Sequence, residues 1–82
     1  MEELIKDLTV LEFAGTGTLP NIGHVKNLLA EVKYGLTTKE TAIEEIERHI
    51  PVVEEILAAE ESYTNREGRN LIFKSLELLK SL

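Results

Sequence analysis

One apolar stripe, running from residue 37 to residue 63 with a proline in its middle, constrains this chain more than any other feature. Ala42, Ile43, Ile46, Ile50, Val53, Ile56 and Leu57 recur three or four residues apart. At ~100° per residue they fall in a band about 140° wide, the mark of an amphipathic helix. Glu44, Glu45, Glu47, Arg48, Glu54 and Glu55 occupy the opposite side. Pro51 has no amide hydrogen, and in a helix interior its ring clashes with the carbonyl four residues back, here that of Glu47, at a cost of about 3 kcal/mol. The apolar phase nevertheless carries through, with Ile46, Ile50, Val53 and Leu57 spaced four, three and four. The pattern predicts one long helix, kinked at Pro51 but continuous, rather than two helices with Pro51 opening the second.

The rest of the chain reads as three further helices. Residues 1–13 place Met1, Leu4, Ile5, Leu8 and Leu11 on one side, and Glu2, Glu3 and Asp7 suit the positive end of a helix dipole. A second helix runs over residues 22–34 behind Asn21 as its cap, with Ile22, Val25, Leu28, Leu29 and Val32 as its stripe. Gly35 stands where a left-handed terminating residue is wanted, and Leu36 is placed to fold back over the last turn. Thr37 and Glu40 then form a capping box for the long third helix. A stop and a start this close together make a tight helical hairpin. Glu60 and Glu61 end the packed face of the third helix, with Arg66, Arg69 and Lys74 near enough in sequence to neutralise them. Thr64 and Glu67 form a second capping box, which opens a last helix over residues 66–80.

The fold predicted is all-α: a small four-helix domain, residues 1–82, built on an antiparallel hairpin of helices 2 and 3. The last helix packs across that hairpin and the first closes one end. A chain of 82 residues buries only ~60–65% of the surface that its unfolded form exposes, so it profits from outside support. With no cysteine, neither disulfides nor thiolate metal sites can supply that support. Association is left.

Fifteen acidic against nine basic residues give a formal charge of −6. That balance opposes a phosphate backbone, and no basic stripe overrides it, so nucleic acid is not an expected partner. No apolar run approaches the ~20 residues of a membrane-spanning helix, and no signal peptide is evident, which makes the cytoplasm the expected compartment.

Candidates for chemistry are few. The segment from Gly15 to Gly23 is rich in glycine, and such loops before a helix can cradle phosphate. Here Pro20 stands where the dinucleotide fingerprint needs its third glycine, and no Gly-Lys-Ser/Thr follows, so the segment reads as a connector. His49 lies four residues after Glu45, close enough to touch on a helix. A helical di-iron site wants Glu-x-x-His repeated on a second helix, and position 46 is Ile. His24 falls on the polar side of its own helix. No metal, cofactor or catalytic residue is therefore expected. The adjacent Glu pairs 44/45, 54/55 and 60/61 point about 100° apart and do not converge.

The last helix carries the functional expectation. Leu71, Ile72, Phe73, Leu76, Leu78, Leu79 and Leu82 span an arc of about 220°, too wide for one contact surface. Leu71, Leu78 and Leu82 form one edge, Phe73 and Leu76 the other, with Ile72 and Leu79 between. Tyr63 adds an aromatic of the kind enriched at interfaces. These residues predict a non-enzymatic protein–protein interaction module that associates with a second copy of itself through apolar helix faces, using Leu71, Phe73, Leu78, Leu82 and Tyr63. One alternative is an acidic assembly or export chaperone that shields a helix of a client protein. Another is a small metal- or ligand-binding protein using His49 and the Gly15–Gly23 loop.

Overall fold

A computed structural model of the chain describes residues 1–14 and 21–82. Four helices follow one another: α1 (Glu2–Ala14), α2 (Asn21–Lys33), α3 (Lys39–Ala59) and α4 (Tyr63–Ser81). The described residues contain no strand. The connector with Gly15 and Gly17 lies outside the described residues, as does the side chain of Asn21 on which its capping role depends. Gly23 falls inside α2.

Consecutive helices run antiparallel, as the ion pairs along their lengths record. Lys33 meets Glu2 at 2.7 Å and Lys26 meets Glu12 at 2.6 Å, which aligns α2 against α1. Arg69 meets Glu54 at 2.6 Å and Lys80 meets Glu47 at 3.0 Å, aligning α4 against α3. α4 touches all three other helices, while α1 and α3 do not pack on each other. The cross-section is thus a rhombus whose short diagonal joins α2 and α4. α1 lies along α2 and α4 instead of closing one end, because its stripe of Leu4, Ile5, Leu8 and Leu11 packs on the core over the helix's whole length.

The core takes Leu8 from α1, Ile22, Val25, Leu28 and Leu29 from α2, Ala42, Ile46 and Val53 from α3, and Ile72, Leu76 and Leu79 from α4. Fully burying a side chain of this size contributes about 1.5–3 kcal/mol, so this shared cluster is what holds the four helices together. α3 is continuous through Pro51, as its apolar phase requires. Pro51 is exposed, so its missing amide falls on the wet side of the helix, where water can serve the orphaned carbonyl.

The α2–α3 turn follows the glycine. Gly35 has φ 74°, the only positive φ among the described residues. The Gly35 amide donates to the Val32 carbonyl (3.1 Å) and the Leu36 amide to the Glu31 carbonyl (2.8 Å), the paired bonds of a Schellman motif. Leu36 does not fold back over the turn. It is 77% exposed, so the motif stands here on its backbone bonds alone.

The observed caps are not the two expected capping boxes but single hydroxyls one or two residues earlier or later. Thr38, not Thr37, caps α3, accepting the Thr41 amide at 3.2 Å. Ser62, not Thr64, caps α4, accepting the Asn65 amide at 3.1 Å. The α4 start is fixed by Asn65, which is buried and whose side-chain amide donates to the Glu60 carbonyl at 2.7 Å. That bond ties α4 to the end of α3 and leaves room for only a short link. Arg69 pairs with Glu54 rather than with Glu60 or Glu61, because α4 runs back along α3 and carries Arg69 away from the turn.

The Glu2–Lys33 pair fastens the start of α1 to the end of α2. The hydrogen bond from Lys33 holds the Glu2 carboxyl below the usual carboxylate range, and the same bond raises the Lys33 ammonium. No helix among the described residues is long and apolar enough to cross a membrane.

Candidate functional site

Two places on the molecule combine residues that neither helix alone would bring together. The first is a groove between α1 and α4, about 750 Å³ in volume. α1 contributes Asp7, Val10 and Leu11; α4 contributes Tyr63, Leu71 and Phe73 together with the polar Glu67, Asn70, Lys74 and Glu77. Leu71 packs on the core with one side and lines the groove with the other. Phe73 lies beneath the Arg69 guanidinium, 4.6 Å from its ring centre, so its outer face is partly occupied by a cation. Tyr63 is 71% and Val10 60% exposed.

Three of the five expected interaction residues, Tyr63, Leu71 and Phe73, therefore share one surface. Leu78 and Leu82 do not line it. Leu78 is half-buried, and Leu82 is exposed at the chain end, where its carbonyl accepts the Lys39 ammonium at 2.6 Å. Leu76, on the same edge of α4 as Phe73, belongs to the core. The wide apolar arc of α4 has a simple origin: the helix is sandwiched among three neighbours, and Ile72, Leu76 and Leu79 are consumed within the molecule. The α1 half of the groove was legible in one respect. Val10 falls outside the stripe of its own helix, and an apolar residue off the stripe must find another use or stay wet.

The second place lies between α2 and α3. Glu45 and His49, four residues apart, stand on one face of α3. His24 reaches across from α2, because the antiparallel alignment sets the early part of α2 beside the middle of α3. His24 Nε2 lies 3.5 Å and His49 Nε2 4.0 Å from the same oxygen, Oε2 of Glu45. The two imidazoles meet edge to face, with ring centres 5.0 Å apart and planes at 75°. The other carboxylate oxygen, Oε1, is held by Arg48 at 2.8 Å. A Glu-x-x-His pair repeated on two helices is not formed; what the fold adds beside Glu45 and His49 is the single imidazole of His24 from a different helix. Nothing in the spacing along the chain announces it.

Comparison with protein-family models, curated proteins and solved structures finds no match to this chain.

Proposed function

We propose that this protein is an interaction module whose α1–α4 groove receives an amphipathic, basic helix of a client protein. The observation that carries the reading is the composition of the groove. Val10, Leu11, Tyr63, Leu71 and Phe73 provide apolar surface, and the charged lining is three acids, Asp7, Glu67 and Glu77, to one base, Lys74, with Arg69 stacked on Phe73 beside it. Apolar anchors at helical spacing suit such a floor, and lysines or arginines beside those anchors suit such a rim. A second copy of the chain suits it less well, since each copy carries a formal charge of −6 and would bring like charge to an acidic surface. Leu78 and Leu82, on which self-association would also draw, lie off this groove. The role is binding rather than catalysis, that of a small acidic chaperone for a helix. A chain without cysteine suits the reducing cytoplasm, which we take as its compartment.

The test uses two synthetic amphipathic helices with the same leucine face, one flanked by lysines and one by glutamates. Fluorescence anisotropy should show saturable binding of the basic peptide only, weakened by salt. Val10→Asp with Tyr63→Asp, two exposed positions, should abolish it and leave helix content unchanged. Equal binding of both peptides, or of neither, refutes the reading. So does sedimentation of the parent as a dimer that the double variant converts to monomer, an outcome that returns the groove to a second copy.

A further inference from the structure

The convergence of His24, Glu45 and His49 has no part in the groove, and its geometry is that of a different kind of site. We propose that these three side chains bind a divalent transition-metal ion of the zinc class, which bridges α2 and α3.

The first support is the donor set. Two imidazole nitrogens and one carboxylate oxygen are the ligands that zinc and its first-row neighbours take from proteins lacking thiolates, commonly with one position left to water. The second is spacing. Glu45 and His49 are one helical turn apart on the same face, the separation at which two ligands on a helix reach one ion. The third is distance. All three donor atoms lie within 4.8 Å of one another. Zinc bonds of about 2.0–2.2 Å in tetrahedral geometry place ligand atoms roughly 3.4 Å apart. The His24 contact, at 3.5 Å, already has that separation, and the His49 contact, at 4.0 Å, is slightly wider. Both are too long for a good hydrogen bond. Two donors thus face one acceptor across gaps that suit a shared cation better than a direct bond.

Orientation is the fourth support. Arg48 holds Oε1 of Glu45 at 2.8 Å and reaches Glu44 at 3.3 Å, which leaves Oε2 turned toward both imidazoles. Fixing a ligating carboxylate by its other oxygen is a common outer-shell arrangement in metal sites. Accessibility is the fifth. The side chains of His24, Glu45 and His49 are 42%, 30% and 33% exposed, so an ion can enter from solvent and keep water in its remaining position. Ile46 and Val53, on the same helix, lie buried in the core and take no part in the site.

The experiment titrates Zn²⁺, and Co²⁺ as a spectroscopic reporter, into the full chain after removal of metal by chelation and dialysis. Calorimetry should give one Zn²⁺ per chain with a dissociation constant in the micromolar range or tighter. Co²⁺ should develop the intense visible bands of a four-coordinate ion. His24→Asn, His49→Asn and Glu45→Gln should each weaken binding by at least about tenfold, while their metal-free melting curves stay close to the parent's. If a variant melts early, the histidine ring resonances of the parent provide the readout, since both should shift together at one equivalent of Zn²⁺. Binding only at millimolar concentration, binding indifferent to the three substitutions, or ring resonances that respond at different equivalents would overturn the assignment. None of these readouts depends on the α1–α4 groove, so the two proposals stand or fall separately.

Discussion

Replacing Gly35 by alanine probes the turn that joins α2 to α3. The glycine has φ 74°, and its amide and that of Leu36 close the end of α2 on the Val32 and Glu31 carbonyls. A methyl group at this position would meet no heavy atom within 4 Å, so no clash with a neighbour enters the cost. What remains is the strain of a side chain in the left-handed region, roughly 1–2 kcal/mol. Alanine also restricts the unfolded chain, which offsets about 0.4–1 kcal/mol. The expected net loss is therefore about 1 kcal/mol. For a domain of this size that is roughly a twelfth to a quarter of a total stability of about 4–12 kcal/mol, and it lowers Tm by about 4–8 °C. Thermal and urea melts followed by far-ultraviolet circular dichroism measure it directly. Gly35→Asn should fall between the parent and Gly35→Ala, because asparagine tolerates positive φ better than other non-glycine residues. The reasoning fails if Gly35→Ala melts at or above the parent, or if Gly35→Asn costs as much as alanine.

Two further outcomes follow from the helix ends. Ser62→Ala should cost about 1 kcal/mol through loss of the α4 cap while Thr64→Ala is near neutral, and Thr38→Ala should likewise exceed Thr37→Ala; denaturant midpoints of the four variants decide both comparisons. The Glu2–Lys33 latch should act in a window of pH. Because the folded Glu2 carboxyl is lowered, its contribution is complete above the titration of an unfolded glutamate and is lost as pH falls through the lowered value. Because folded Lys33 is raised, its contribution is complete below the titration of an unfolded lysine and is lost as pH rises through the raised value. Carboxyl resonances of Glu2 should titrate at lower pH in the parent than in Lys33→Gln, and high salt should shrink the difference, since Glu2 is open to solvent.

Helix type, number and approximate extent were legible because they depend on short-range periodicity. The stripe through Pro51 predicted continuity of α3, and Gly35 predicted a left-handed stop, since both follow from local backbone chemistry. Cap positions shifted by one or two residues for a reason spacing cannot express. Thr37 and Thr38, or Ser62 and Thr64, all carry hydroxyls able to cap a helix, and the choice between them depends on where the next helix must start to pack. At α4 the buried Asn65 makes that choice by binding the Glu60 carbonyl.

The amino-acid sequence by itself determined that this chain forms amphipathic helices, where each is interrupted, and which residues turn inward, because a hydrophobic stripe must be buried whatever lies opposite it. Only the tertiary structure decided how α1 and α4 lie against the hairpin of α2 and α3. That packing sandwiches α4, draws Leu76 into the core and sets Val10 beside Tyr63 and Leu71 in one groove, while the folded hairpin carries His24 to Glu45 and His49. Apolar stripes attract without direction, so they specify burial but not the identity of the neighbour. The neighbour is selected by connection length, which the sequence does carry, and by antiparallel alignment and the pairing of charges along the helix edges, which exist only once the chain has folded.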